Sequence, residues 1–181
     1  MKNDLRIKAK IIRNEIENTK NKSRAIQNKV LDFISDYSKG DKIFSYIEKK
    51  KEVEISPVFR DFRHLGYKIY VPTYTDQKWR ICQYENSDCL GEGPHGIPQP
   101  TKINQFYDTP TKASFKEDDI AIVPGLLFTK EGNRLGYGGG TFDIYLQNFK
   151  GTKVGICFKE QIVNHLPIEH HDIIMDIVIT D

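Results

Sequence analysis

The sequence has few cysteines and no long hydrophobic segment, and these absences exclude several classes of protein. Its 181 residues include three cysteines, Cys82, Cys89 and Cys157, without a CxxC pair. An odd number of scattered cysteines fits neither a disulfide framework nor a four-ligand zinc site, so we expect structural thiols. No stretch approaches the roughly 18 apolar residues of a membrane span, and the first residues lack the apolar segment of a signal peptide. We therefore expect a cytoplasmic protein without membrane contact.

The sequence also lacks an excess of charge of either sign. It has 27 basic and 25 acidic residues, which leaves a formal net charge of +2. This balance gives no general attraction to nucleic acid, so any site for a polyanion has to be local. The hydrophobic content of 38% is too high for a disordered chain. The length allows one hydrophobic core without disulfides or a structural metal, so we expect residues 1–181 to form a single domain.

The hydrophobic pattern predicts two helices, followed by an alternation of strands and helices. The first helix is marked by an apolar stripe at helical spacing, formed by Leu5, Ala9, Ile12 and Ile16. A second helix is predicted after Ser23, and a third is predicted to begin with Ser56 as its N-cap. Short apolar segments predict strands at 43–47, 68–74, 79–84, 120–123, 154–158 and 173–180. This alternation is typical of a three-layer, Rossmann-like α/β fold, with a mostly parallel sheet and helices on both faces.

Two segments between these elements are rich in glycine. Residues 88–119 also contain many prolines and are predicted to form a long irregular loop, which is often functional. In the second segment, Gly136, Gly138, Gly139 and Gly140 precede a helix predicted over 142–149. Such glycines are expected where φ is positive or where a ligand contacts the backbone, and backbone N–H groups before a helix bind anions.

The charged residues beside the second glycine segment favour a nucleotide site. Arg134 can bind a phosphate through two hydrogen bonds, and the Asp143 carboxylate suits a Mg²⁺ ion that bridges phosphates. The segment matches neither GxxxxGK[ST] nor GxGxxG, and a tight surface turn is the alternative.

The sequence VPGLLF at 123–128, followed by GNRLGYGGGTFD at 132–143, resembles the signature of the 5-formyltetrahydrofolate cyclo-ligase family, also called methenyltetrahydrofolate synthetase. Shorter matches extend over nearly the whole chain, at Lys2 and Arg6, 52–54, 96–100, 158–161 and 167–172. The resemblance implies a ligase that uses ATP and Mg²⁺ to close 5-formyltetrahydrofolate into 5,10-methenyltetrahydrofolate, with release of ADP and phosphate. The implied path runs through phosphorylation of the formyl oxygen, which converts a poor leaving group into a good one.

The resemblance also implies roles for individual residues. It implies that ATP is bound by Lys2, Arg6, Arg134, Leu135, Gly136, Tyr137, Gly138, Gly139, Gly140, Thr141 and Phe142. It implies that the folate is bound by Ile47, Glu52, His95, Tyr137 and Thr141. Arg134 and Tyr137 are the implied catalytic residues, and Asp143 and Asp172 the implied Mg²⁺ ligands. Simpler readings stay open: Lys2 and Arg6 as solvated cations, Ile47 as a core residue, and Glu52 as part of a charged surface segment.

Three positions depart from the family's pattern, one of them Thr129, where relatives commonly carry an acidic residue. Relatives usually carry an aromatic residue where this chain has Thr141, and many carry one where it has His95. An imidazole still stacks on a pterin, but more weakly than an indole does. These departures concern the folate rather than ATP, and they motivate an alternative, a folate-binding regulatory protein with weak or no turnover.

Two further features of the sequence bear on its ligands. A nucleic-acid-binding module using the basic first helix is a second alternative, which the chain's overall charge balance disfavours. We expect a monomer whose partners are ATP and 5-formyltetrahydrofolate, without nucleic acid.

His170 and His171 are expected to point in opposite directions on an extended segment, so they should not share a metal ion.

Overall fold

The structure is a computed structural model that describes residues 1–37, 39–87, 90–103, 105–108 and 113–181, without the side chains of Tyr37 and His95. The helices in these ranges are α1 (Lys2–Glu15), α2 (Thr19–Tyr37), α3 (Phe59–His64) and α4 (Thr141–Leu146). The first six strands are β1 (Lys42–Phe44), β2 (Lys68–Thr75), β3 (Lys78–Gln83), β4 (Leu90–Glu92), β5 (Pro98–Pro100) and β6 (Phe106–Tyr107). The others are β7 (Ile120–Pro124), β8 (Leu127–Phe128), β9 (Arg134–Leu135), β10 (Thr152–Ile156) and β11 (Ile177–Ile179).

The main sheet is mostly parallel, as predicted. Seven strands are ordered β11-β10-β7-β1-β2-β3-β6. The first five of these run parallel, and β3 and β6 extend the sheet as antiparallel strands. The tight connection between β2 and β3 makes them a hairpin, so the start of β3 lies at the edge of the sheet where β2 ends. Two small antiparallel pairs, β4 with β5 and β8 with β9, lie outside the main sheet.

Successive side chains of the central strands are buried on opposite faces of the sheet, because side chains alternate along a strand. Ile43, Ile69 and Ile122 pack on one face with apolar residues of α2 and α3. Their neighbours Phe44, Tyr70 and Val123 pack on the other face with residues of α4. Burial on both faces explains why β7 is continuously apolar. The predicted three-layer α/β arrangement is confirmed.

Helix α1 lies against the β8–β9 hairpin rather than on the sheet. Ala9 is fully buried there, in a small cluster with Leu126, Leu127 and Leu135. Ile12 belongs to the predicted apolar stripe, but it is 36% exposed. This packing brings the first turns of α1 beside the segment that follows β9.

Several predicted boundaries differ from the structure. Ser56 does not cap a helix through its side chain; its hydroxyl donates to Oε1 of Glu48 at 2.6 Å, and a 3₁₀ turn precedes α3. Residues 88–119 contain β4, β5 and β6 rather than only loop, and 88, 89, 104 and 109–112 fall outside the described residues. Strand β11 is shorter than predicted, and α4 ends at Leu146. Among the described residues, no helix has the length and apolar character needed to cross a membrane.

Candidate functional site

A cleft of about 1040 Å³ opens at the carboxyl ends of the parallel strands. The segments that follow β1 and β7 both contribute to its wall, at the edge of the sheet where open α/β proteins bind ligands. The predicted site residues that line it are Lys2, Arg6, Ile47, Glu52, Arg134, Leu135, Gly136, Tyr137, Gly138, Gly139, Gly140, Thr141, Phe142, Asp143 and Asp172. The predicted side chain of His95 lies outside the described residues. One cavity therefore gathers residues from both ends of the chain.

The glycine segment forms an irregular loop between β9 and α4, and Arg6 packs on it. Gly138 and Gly140 have φ values of +103° and +65°, which side chains with a Cβ rarely adopt. A Cβ atom at Gly138 would lie 3.3 Å from Nε of Arg6. That Nε donates to the carbonyl of Gly136 at 3.1 Å, while Nη1 donates to Oδ1 of Asn3 at 2.7 Å. Because Gly138 has no Cβ, the Arg6 guanidinium can lie directly on the loop.

Arg134 is held rigidly at the base of the cleft. Its Nη1 donates to the carbonyl of Pro124 at 3.1 Å, and its Nη2 donates to Oδ1 of Asp143 at 2.6 Å. The guanidinium also lies over the ring of Phe142, 6.0 Å from its centroid. The Arg134 side chain is only 4% exposed, whereas that of Asp143 is 26% exposed and accessible from the cleft. Arg134 therefore presents a fixed positive charge to any ligand.

Lys2 and Asp172 form a second ion pair across the cleft. Nζ of Lys2 lies 2.7 and 3.0 Å from the two carboxylate oxygens of Asp172, and 3.3 Å from Oε1 of Glu169. Partial burial works to raise the pKa of Asp172, but hydrogen bonds from Lys2 and from the Glu169 backbone N–H outweigh it. The pKa of Asp172 is therefore lowered, which keeps this carboxylate ionised and available as a ligand.

The residues of the cleft fit a Mg²⁺ ion only if another molecule completes its coordination. Asp143 and Asp172 supply the hard oxygen ligands that Mg²⁺ prefers. In the described ranges, no group of three His, Cys, Asp or Glu side chains could hold a metal ion. Mg²⁺ commonly binds through one or two carboxylates together with water and substrate phosphates. The donor set therefore suits a magnesium ion that is shared with a nucleotide.

The prediction that His170 and His171 lie on an extended segment is wrong. These residues lie in a turn rather than an extended segment, and their ring centroids are 5.2 Å apart. Both side chains are exposed at the rim of the cleft, and Nε2 of His171 lies 3.2 Å from Oε2 of Glu169. Both histidines precede the proposed Mg²⁺ ligand Asp172 in the sequence and line the same cleft.

A hydrogen-bond network surrounds Glu52, beside Tyr137 of the glycine loop. Glu52 is 8% exposed, and its Oε2 accepts a hydrogen bond from the backbone N–H of Lys49 at 2.7 Å. Its Oε1 accepts one from the Tyr137 hydroxyl, which itself accepts one from Nη1 of Arg13. Burial and the Glu52 carboxylate raise the pKa of Tyr137 far above its ordinary value, so the hydroxyl stays protonated. The reading of Glu52 as part of a solvated surface segment is wrong.

An apolar wall faces this network, and sequence reasoning missed its most prominent member. Trp79 lines the cleft at the start of β3, together with Pro72, Ile97 and Pro98. Its indole packs edge to face with Tyr74, with ring centroids 5.3 Å apart. The available signal was the hairpin, which returns the start of β3 to the edge where the parallel strands end. Arg13 was also missed, because the spacing of basic residues along α1 does not distinguish Arg13 from the solvated cations on the same helix.

Comparisons with known proteins show what this chain is similar to. The model of the 5-formyltetrahydrofolate cyclo-ligase family matches residues 1–181. The chain is 42% identical over 135 residues to 5-formyltetrahydrofolate cyclo-ligase of Escherichia coli (strain K12), covering 71% of each chain. It is 39% identical over 141 residues to the Haemophilus influenzae protein of the same name, covering 74% of this chain and 73% of that one.

A solved structure extends this likeness to the fold. The NMR structure of Aquifex aeolicus 5,10-methenyltetrahydrofolate synthetase matches with a TM-score of 0.77 and 28% identity, over 98% of this chain and 88% of that chain. Together with the match of the family model to the whole sequence, this establishes that the chain belongs to the 5-formyltetrahydrofolate cyclo-ligase family.

Proposed function

We propose that this chain catalyses the ATP-dependent closure of 5-formyltetrahydrofolate into 5,10-methenyltetrahydrofolate, with release of ADP and phosphate. One observation carries the proposal: a single cleft of about 1040 Å³ is lined both by a basic glycine loop, here called the phosphate end, and by the buried Glu52 carboxylate with nearby apolar side chains, here called the folate end. The phosphate end suits a triphosphate, and the folate end suits a flat ring with N–H donors. Two substrates that react with each other need such a shared cavity.

The phosphate end would bind ATP through the cations that converge on the glycine loop. Lys2, Arg6 and Arg134 would bind the triphosphate oxygens, with the backbone of Gly136, Gly138, Gly139 and Gly140 providing N–H donors. Leu135, Tyr137, Thr141 and Phe142 would complete the nucleotide wall. Asp143 and Asp172 would hold Mg²⁺, which neutralises charge on the phosphates during transfer.

The folate end would bind the pterin ring. Each oxygen of the Glu52 carboxylate has a second lone pair, so Glu52 can accept further hydrogen bonds from the pterin N–H groups. Ile47 and Trp79 would pack on the ring, and Thr141 would lie between the two substrates. We assign His95 to this end as well, because its 3₁₀ turn adjoins Ile97 and Pro98 of the apolar wall.

The reaction requires two displacements. The formyl oxygen attacks the γ-phosphorus and the bond to ADP breaks, which gives a phosphorylated formyl group on N5. N10 then attacks the formyl carbon, loses its proton, and the C–O bond breaks to release phosphate. Arg134 would stabilise charge on the transferring phosphoryl group, since it is fixed by Pro124 and Asp143. Tyr137 would act from between the two substrates, where its hydroxyl donates to Oε1 of Glu52.

Labelling the formyl oxygen distinguishes the proposed reaction path from the alternative, a folate-binding regulatory protein. With ¹⁸O in the formyl group, the proposed path transfers the label into inorganic phosphate, and one ADP is released for each folate converted. Binding of 5-formyltetrahydrofolate without ADP release would favour a folate-binding regulatory protein instead.

Because one chain supplies the whole cleft, we also propose a monomeric, single-domain enzyme that acts in the cytoplasm and binds no nucleic acid.

A further inference from the structure

Arg13 lies behind the wall of the cleft, in the last turn of α1. Its side chain is 12% exposed, whereas the neighbouring Ile11 and Ile12 are open to solvent. It does not line the cleft, although Lys10 on the preceding turn does. Arg13 is therefore a largely buried cation beside the cleft, outside its lining.

The contacts of Arg13 are concentrated on Tyr137. Nη1 donates to the Tyr137 hydroxyl, and the guanidinium carbon lies 5.2 Å from the centroid of the same ring. The hydroxyl donates onward to Oε1 of Glu52, which lies 3.9 Å from Nη1 of Arg13. Because a phenol that accepts a hydrogen bond from a guanidinium has its own proton directed elsewhere, Arg13 sets the direction in which Tyr137 donates.

The network imposes an electrostatic cost. Burying a carboxylate and a guanidinium removes both from water, and such pairs seldom increase stability over apolar residues. Nε of Arg13 is buried without a hydrogen-bond partner among the described residues, which adds to this cost. A cluster that is costly to bury and adjoins a cleft is better explained by its effect on the cleft than by stability.

We propose that Arg13 is a positioning residue for the folate end: through the Tyr137 hydroxyl it holds the Glu52 carboxylate in one orientation toward the pterin. This inference rests on the proposed function. It predicts that the loss of Arg13 weakens folate binding and leaves ATP binding intact, although α1 also carries the proposed phosphate ligands Lys2 and Arg6.

The test compares Arg13→Met, Arg13→Lys and Tyr137→Phe with the wild type, with Lys8→Met as a control on the exposed face of the same helix. We expect Arg13→Met to raise KM for 5-formyltetrahydrofolate about tenfold, as for one lost charge-assisted hydrogen bond, and KM for ATP less than about twofold. Arg13→Lys should recover part of the loss, and Lys8→Met should equal the wild type. In Arg13→Met/Tyr137→Phe, the rise in folate KM should be smaller than the product of the single rises, since both act through one hydroxyl.

An unchanged folate KM in Arg13→Met, or equal rises in the KM values for folate and ATP, would overturn the inference. If Arg13→Met does not fold, Arg13→Lys carries the same comparison with a smaller expected rise. A wild-type protein that forms no product would instead contradict the proposed function. The Arg13 variants would then be compared by the dissociation constant of 5-formyltetrahydrofolate, read from fluorescence of Trp79, the one tryptophan in the sequence.

Discussion

The ammonium nitrogen of Lys2 lies 2.7 Å from Oδ2 of Asp172, which joins the first turn of α1 to a turn near the other end of the chain. Arg134 and Asp143 form the same kind of pair at 2.6 Å. Each proposed Mg²⁺ ligand is thus paired with a proposed phosphate-binding cation. When ATP and Mg²⁺ enter together, the cations can exchange carboxylates for phosphates while the carboxylates turn to the metal. Phosphates alone would leave both carboxylates without their cations, so we expect nucleotide and metal to bind cooperatively.

Lys2→Met should weaken ATP binding specifically. We expect KM for ATP to rise about tenfold, because one charge-assisted contact to phosphate is lost, with a much smaller change in KM for the folate. Lys8→Met removes an exposed charge from the same helix and serves as the control. Steady-state kinetics with each substrate varied in turn make the comparison. An ATP KM equal to that of the control would remove Lys2 from the phosphate site.

Asp143→Asn should raise the Mg²⁺ concentration needed for half-maximal turnover by about tenfold or more. An amide retains an oxygen that can accept from Arg134, but it lacks the charge that a hard divalent cation requires. The fold should change little, since the side chain is partly exposed, and a thermal unfolding curve checks this. Asp176→Asn, at an exposed carboxylate that the cleft does not include, is the matched control. Unchanged turnover at limiting Mg²⁺ would contradict the ligand role.

Gly138→Ala should disrupt the phosphate site through the backbone. Its φ of +103° disfavours any Cβ, and that Cβ would lie 3.3 Å from Nε of Arg6. Gly66 offers a control for strain alone, since it has a φ of +95° and a Cβ there would have no atom within 4 Å. Both variants should lose about 1–2 kcal/mol of unfolding free energy, but only Gly138→Ala should raise KM for ATP. Equal ATP KM values would show that loop geometry does not matter for the nucleotide.

Burial should protect two cysteines from thiol reagents. Burial raises the pKa of Cys82 to about 12, and it raises the pKa of Cys157 even further. Since the thiolate is the reactive form, both should stay unmodified in the folded protein up to pH about 9. A Cys89→Ser variant isolates these two, because Cys89 lies outside the described residues. A thiol-counting reagent should detect no thiol before unfolding and two afterwards; rapid modification of the folded protein would contradict the burial of these side chains.

The main layers of the fold could be predicted because local hydrophobic patterns match the strands and helices of the structure. The short apolar segments of β1 and β2, the apolar run of β7 and the apolar stripe of α1 all follow from side chains that face a core. The exposure of Ile12 could not be predicted, because the spacing of apolar residues along α1 does not show how much of the stripe the rest of the chain covers. Ser56 likewise resembles an N-cap, but a distant carboxylate at Glu48 competes for its hydroxyl.

The candidate site was predictable at the phosphate end and less so at the folate end. The glycine segment, Arg134 and Asp143 are contiguous in sequence, so their chemistry can be read directly. Arg13 and Trp79 lie at or beside the cleft only because packing and a hairpin bring them there. The contact of Arg13 with Tyr137 joins segments far apart in the sequence, whereas Trp79 pairs with Tyr74 inside the β2–β3 hairpin, and composition makes both ordinary members of a helix and a strand.

The most direct test of the central claim is the near-ultraviolet absorbance of 5,10-methenyltetrahydrofolate during incubation of the folded protein with 5-formyltetrahydrofolate, ATP and Mg²⁺. We expect absorbance to rise with time in proportion to enzyme, and to stay flat when ATP is omitted or replaced by an analogue whose γ-phosphoryl group cannot be transferred. A protein with a cooperative unfolding transition that gives no rise with both substrates and Mg²⁺ present would contradict the account.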